Sequence, residues 1–158
     1  MGTRRQSRKR AMQILFELDL NKQELDTALR QAWKEQQDTP SSSRQFTESL
    51  VRGTVGHLQE LDDLIKSYAE NWDIKRMNGI DKNVMRVALY EMLYCEDIPP
   101  IVSINEAVDI AKEFGDVKSG QFVNGILDRA RKDLKRPARE ASGKEPRRAG
   151  DRSASETG

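Results

Sequence analysis

Residues 119–134 read SGQFVNGILDRARKDL, and this stretch contains two conflicting signals. Asn124-Gly125 is a strong turn dipeptide. Around it Phe122, Val123, Ile126, Leu127, Ala130 and Leu134 keep helical spacing. On a helical wheel counted from Phe122, these apolar residues span an arc of about 140°. Gly125 falls outside that arc, between Gln121 and Arg129, and Lys118 joins them if the helix extends back. Six apolar residues in register outweigh one dipeptide, so the stretch reads as a helix with bare backbone on its outer face. Phe122 lies on the rim of the apolar stripe. Two readings of the pair stay open. Gly125 admits a neighbouring helix and Phe122 is core, or the two belong to a binding face.

The same helical period recurs upstream. Ala11, Ile14, Leu15 and Leu18 make one stripe, and Leu25, Ala28, Leu29, Ala32 and Trp33 a second. The segment 36–44, QQDTPSSSR, is a loop by composition. A long pattern then runs from Phe46 through Leu50, Leu58, Leu61, Ile65 and Tyr68 to Trp72, with Gly53 and Gly56 as bends or points of close packing. Residues 76–83 form a turn with Asp81 as N-cap, followed by a stripe of Val84, Val87, Ala88 and Met92. Ser103 and Glu106 have capping-box spacing, Gly115 suits the end of that helix, and Ser119 suits the start of the last one. Alternating strand patterns are nearly absent. The expected fold is all-α, a compact domain of six or seven helices over residues 1–134. Residues 135–158 hold no apolar side chain larger than Ala and read as a disordered basic tail.

With 36% hydrophobic and 34% charged residues, the chain supports one modest core rather than two. No signal-peptide pattern and no apolar run of membrane-spanning length appears, and a single cysteine, Cys95, excludes an internal disulfide, so the expected compartment is the cytoplasm. The net charge of +1 conceals a segregation. Residues 1–10 carry five basic and no acidic side chains, whereas residues 11–134 carry 15 basic and 22 acidic. A basic arm on an acidic body is either a nucleic-acid footprint or a solubilising tail.

Chemistry is sparse. One histidine, His57, and one cysteine make no zinc set and no obvious nucleophile pair, and no phosphate-cradling glycine loop is present. The expectation is a protein that is not an enzyme and uses no metal or cofactor. Lys9, Arg10 and Gln13 share the polar face of the first helix, so that helix and the last are expected to build one basic surface edged by an aromatic ring. Such a surface suits single-stranded RNA, which asks for stacking rings, cations and approachable backbone.

Two stretches, RMNGIDKNVMRVALYEMLY at 76–94 and PPIVSINEAVDIAKEFGDVKSGQFVNGILDRA at 99–130, closely resemble the bacterial NusB family of transcription antitermination factors. The arm leading into AMQILFELDL at 11–20 fits the family's first helix, and the resemblance covers about residues 4–134, loosely between 20 and 60. It implies an all-α fold of two helical subdomains. It implies binding to the boxA segment of nascent ribosomal RNA together with NusE, a small-subunit ribosomal protein, in a complex that joins RNA polymerase and other Nus factors. The RNA surface would comprise Arg4, Arg5, Arg8, Gln13, Lys118, Gln121, Phe122 and Asn124. The NusE surface would lie on the helix starting at Asp81, with Arg86, Tyr90 and Glu91. Homodimers that cover the RNA face occur in the family. Phe16 stands where members often have tyrosine, and the 135–158 tail has no counterpart in the resemblance. The same fold serves as an RNA-binding module of ribosomal RNA methyltransferases, a reading that the chain's length disfavours. A further alternative is a protein adaptor or rRNA-processing accessory factor without antitermination activity.

Overall fold

The computed structural model describes residues 3–70, 74 and 77–134, and within them every regular element is helical. Seven helices follow in order: α1 Arg4–Asn21, α2 Leu25–Glu35, α3 Ser41–Gly56, α4 Leu58–Tyr68, α5 Gly79–Tyr94, α6 Pro100–Phe114 and α7 Val117–Asp133. Trp72 and the expected tail, 135–158, lie outside the described residues.

Two apolar clusters explain the architecture. Ala11, Ile14 and Leu15 of α1 pack with Ala28, Leu29 and Trp33 of α2 and with Leu50 and Val51 of α3. A larger cluster joins α4 to α7 and includes Leu61, Met85, Leu89, Ile104, Val123 and Leu127. Helices α1 and α5 serve both, because Met12 enters the larger cluster while Val87 enters the smaller one. This is the expected pair of helical subdomains, joined through two shared helices.

The seam between them is polar. Arg8 of α1 is 6% exposed and Glu91 of α5 is fully buried. Arg8 donates from Nε to Glu91 Oε2 at 2.7 Å and from Nη2 to Oε1 at 3.0 Å. Ser103 of α6 donates to Glu91 Oε1 at 2.7 Å. A second buried guanidinium, Arg86, is clasped by Asp62 of α4 at 2.7 and 2.8 Å, by Asp19 of α1 at 3.0 Å and by Asn83 at 2.9 Å. Each charge in this seam is paired and hydrogen-bonded, the condition for tolerating its burial.

Several helix ends differ from the sequence reading. The arm is helical from Arg4, because Thr3 accepts from the Gln6 amide and the Gln6 side chain accepts from Thr3 N, a capping box of two ordinary polar residues. The long pattern from Phe46 breaks at His57 into α3 and α4. Asn78, not Asp81, caps α5, accepting from the Ile80 and Asp81 amides. Ser103 is not a cap. Helix α6 starts four residues earlier, at Pro100 rather than Ile104, where the missing N–H costs nothing, and this frees Ser103 for Glu91. Asp116 rather than Ser119 caps α7, accepting the Ser119 amide at 2.9 Å. Gly115 ends α6 at φ −122°, not in the left-handed conformation of a glycine cap. Gly53 has a packing role: a Cβ there would lie 2.0 Å from Cζ of Tyr90, whose ring rests on the α3 backbone.

Removing one member of a buried pair strands the other's charge. Glu91→Ala is therefore expected to lower the unfolding free energy by about 3–5 kcal/mol, measured by urea denaturation. Replacing both Arg8 and Glu91 by apolar residues of similar volume should cost less. A Glu91→Ala variant within about 1 kcal/mol of the parent would show that the seam is not what joins the subdomains.

Candidate nucleic-acid interface

The outer face of α7 carries the bare backbone expected of Asn124-Gly125. Nothing lies within 4 Å of where a Gly125 Cβ would be, so the glycine does not admit a neighbouring helix. It sits in a hollow of about 250 Å³ lined by Ala69 and Glu70 beyond α4 and by Gln121, Phe122, Ile126 and Arg129 of α7. Phe122 is half-buried, one side packed against the larger core cluster. Arg129 donates to the Tyr68 carbonyl at 2.6 Å, which holds its guanidinium at the rim. Lys118, Gln121 and Asn124 are exposed along the same helix. A ring edge, a guanidinium and an amide thus surround open backbone, a set that can stack a base and meet a phosphate.

The arm has a different environment from the one its composition suggests. Arg4 lies 4.4 Å from the centroid of the Phe46 ring. Arg5 is bidentate to Glu106, at 2.8 and 2.7 Å, and also reaches Asp109 at 2.8 Å. Lys9 pairs with Glu113 at 2.8 Å and Arg10 with Glu35 at 3.5 Å. The Arg5 guanidinium holds the Glu106 carboxyl below the usual carboxylate range, against the opposing effect of burial, with Arg8 and Lys9 adding to it. The Arg5–Glu106 pair therefore persists at neutral pH and loosens as acid protonates the Glu106 carboxylate. Gln13 is half-buried. With Gln6, Lys9 and Arg10 it lines a polar groove of about 570 Å³, closed on its far side by Trp33, residues 35–40, Ser43 and Thr47.

The eight residues expected on one RNA surface thus divide. Lys118, Gln121, Phe122 and Asn124 lie on α7, and Gln13 borders the α1 groove. The groove and the α7 hollow share no lining residue. Arg4 and Arg5 remain partly accessible, but Arg8 is corrected to a core residue because its guanidinium is spent on Glu91. Helix α6 has the arm on one flank and α7 on the other: Glu106 and Asp109 meet Arg5, and the Lys112 side chain crosses Gly120.

The expected protein-partner residues face inward. Glu91 is fully buried, Arg86 is 5% exposed and Asp81 is 7% exposed, so none of the three offers a contact surface. Burial first, then the neighbouring Asp116 charge, pushes the Asp81 carboxyl above its ordinary range, against a hydrogen bond from Ser119. The resemblance alone does not reveal this burial, because the pairing of Glu91 with Arg8 spans 83 residues. Tyr90 keeps partial exposure beside Tyr94, on which His57 stacks at 4.1 Å between ring centroids. Cys95 ends α5, and burial, with Glu91 and Asp97 nearby, pushes its thiol up to about 12, far from a reactive thiolate. Among the described residues no group of three or more His, Cys, Asp or Glu side chains could hold a metal ion, and no helix is long and apolar enough to cross a membrane.

Comparison with known proteins gives a consistent result. A family model described as the NusB family matches residues 5–132. The transcription antitermination protein NusB of Desulfosudis oleivorans is 43% identical over 138 residues, covering 85% of this chain and 88% of that protein. The solved structure of T. maritima NusB superposes with a TM-score of 0.77 at 37% identity, covering 84% of this chain and 92% of that one. A solved complex of antitermination factors NusB and NusE with dsRNA superposes with a TM-score of 0.76 at 24% identity, covering 83% of this chain and 97% of that one, which is a likeness of fold.

Because the space beside Gly125 is open, Gly125→Ala should stabilise α7 by about 0.5–1 kcal/mol in chemical denaturation, the ordinary gain for a helix interior. A loss of stability would mean that the position is not the free outer face described here.

Proposed function

The chain belongs to the NusB family, and on that premise we propose that it is a transcription antitermination factor without enzymatic activity. In this reading it works in the cytoplasm, binding single-stranded boxA RNA of nascent ribosomal transcripts together with NusE, and the assembly joins elongating RNA polymerase with other Nus factors. The observation that carries the RNA part is the hollow around Gly125, where Phe122, Gln121 and Arg129 border backbone with nothing above it. Arg4 and Arg5 supply phosphate contacts, and Gln13 with the α1 groove receives a further part of the strand. NusE takes a separate surface, for which Tyr90 and Tyr94 at the α3–α5 edge are the candidates left accessible. A second copy of the chain competes for the RNA face, so homodimer and RNA complex exclude each other. Residues 1–134 suffice for RNA and NusE binding.

Arm and ring act by different physics, and this separates them experimentally. Affinity for boxA RNA falls with salt, with a slope of about −0.7 per neutralised phosphate on a single strand. Arg4→Ala with Arg5→Ala should flatten that slope. Phe122→Ala should weaken binding by about 1–3 kcal/mol while leaving the slope nearly unchanged. Fluorescence anisotropy across a salt series checks both, with melting curves to verify folding, and a folded Phe122→Ala protein that binds as the parent does would refute the stacking role. A protein that binds NusE but no RNA would instead favour the adaptor reading.

A further inference from the structure

The cations of the arm are already engaged. Arg5 makes three charge-assisted hydrogen bonds to Glu106 and Asp109, all between 2.7 and 2.8 Å, and Lys9 meets Glu113 at 2.8 Å. The three acidic residues occupy positions i, i+3 and i+7 of α6, so they form one row along a single helix face. Against the two charges of Arg5 and Lys9 stand three carboxylates. Of the other cations of the arm, Arg8 is buried on Glu91 with a longer contact of 3.7 Å to Glu106, Arg10 pairs with Glu35, and Arg4 lies over the Phe46 ring. With Arg4 counted beside Arg5 and Lys9, the surface that composition marks as basic is locally neutral rather than basic.

We propose that the carboxylate row Glu106–Asp109–Glu113 is a selectivity device, competing with RNA phosphates for Arg5 and Lys9. The inference rests on the reading of the chain as an RNA-binding protein. A carboxylate and a phosphate make the same bidentate demand on a guanidinium. An RNA that offers phosphates alone must break the pairs to α6 and approach three negative charges, so it gains little. An RNA that also stacks a base at Phe122 and fills the polar groove has contacts that offset the loss. The row therefore suppresses the sequence-independent electrostatic binding on which most non-specific affinity depends, and leaves base contacts to decide. The pairs are also accessible to exchange: the side chains of Arg5, Asp109 and Glu113 are 43%, 48% and 52% exposed. This exposure means that neutralising Asp109 and Glu113 disturbs the fold little.

The test uses the 158-residue chain and its Asp109→Asn/Glu113→Gln variant, which removes two of the three negative charges and leaves Glu106 in place. Binding to a labelled boxA RNA and to a shuffled RNA of the same composition is followed by anisotropy, from about 50 to 200 mM salt. The variant is expected to bind the shuffled RNA about tenfold more tightly and boxA RNA about threefold more tightly, with a salt slope steeper by roughly 0.7 for each cation released. Asp109→Asn alone should move both quantities less and in the same direction, and melting curves of both variants should match the parent. If the parent prefers boxA but the variants keep its affinities, preference and slope, the selectivity role is overturned while RNA binding stands. If the variants bind shuffled RNA less tightly than the parent, the row contributes contacts rather than competition and the proposal is likewise overturned. A parent that binds neither RNA overturns the functional reading and this inference together.

Discussion

A single buried ion pair, Arg8 with Glu91, constrains most of what the rest of the molecule does. It lies where α1, α5 and α6 meet, and Ser103 completes the carboxylate's coordination. Buried ion pairs contribute little net stability compared with apolar packing, but arrangements that separate the partners leave an uncompensated buried charge and are strongly disfavoured. Once Arg8 reaches Glu91, the rotation of α1 about its axis is set. Ala11, Ile14 and Leu15 then face the smaller cluster, Met12 the larger one, and Arg5 and Lys9 the acidic row of α6. The second buried guanidinium, Arg86, ties the far end of α1 at Asp19 to α4 and α5 in the same way.

This arrangement turns a run of basic residues into a graded series. Arg8 is structural, Arg5 and Lys9 are held by carboxylates, and Arg4 lies over an aromatic ring. Only the last two groups face solvent well enough to meet a strand of RNA. The arm is thereby ordered before any ligand arrives, continuous with a capped helix rather than a loose tail. Ordering side chains in advance reduces the conformational entropy lost on binding. The α7 face follows the same logic. Phe122 is fixed by packing on its inner side, and Gly125 keeps the backbone next to it uncovered.

Much of this was legible in the sequence, for identifiable reasons. Helical periodicity is local, so the stripes of α1, α2, α5 and α7 could be read directly, and the wheel of α7 placed Gly125 outside the core correctly. The helix ends were less accessible. A side chain such as Ser103 or Asp81 looks the same as a cap whether it caps or is buried, and only tertiary contacts distinguish the two. The long-range pairs left no trace at all. Arg86 and Glu91 were expected on a NusE surface, and their partners, Asp62, Asp19 and Arg8, lie far away in the chain. The nearest usable signal was spacing: on the α5 wheel Glu91 falls between Val87 and Val84, inside the apolar stripe, whereas Arg86 lies outside it.

On the function proposed above, RNA meets this protein on two patches, the start of α1 and the outer face of α7, on either flank of α6. Titrating the isotope-labelled protein with boxA RNA and following backbone amide shifts tests it most directly. The largest perturbations are expected on residues 3–13 and 118–125, including the Gly125 amide, with the amides of the buried α5 seam around Arg86 and Glu91 nearly still. Perturbations confined to one of the two patches, or concentrated on the Tyr90–Tyr94 edge, would contradict it.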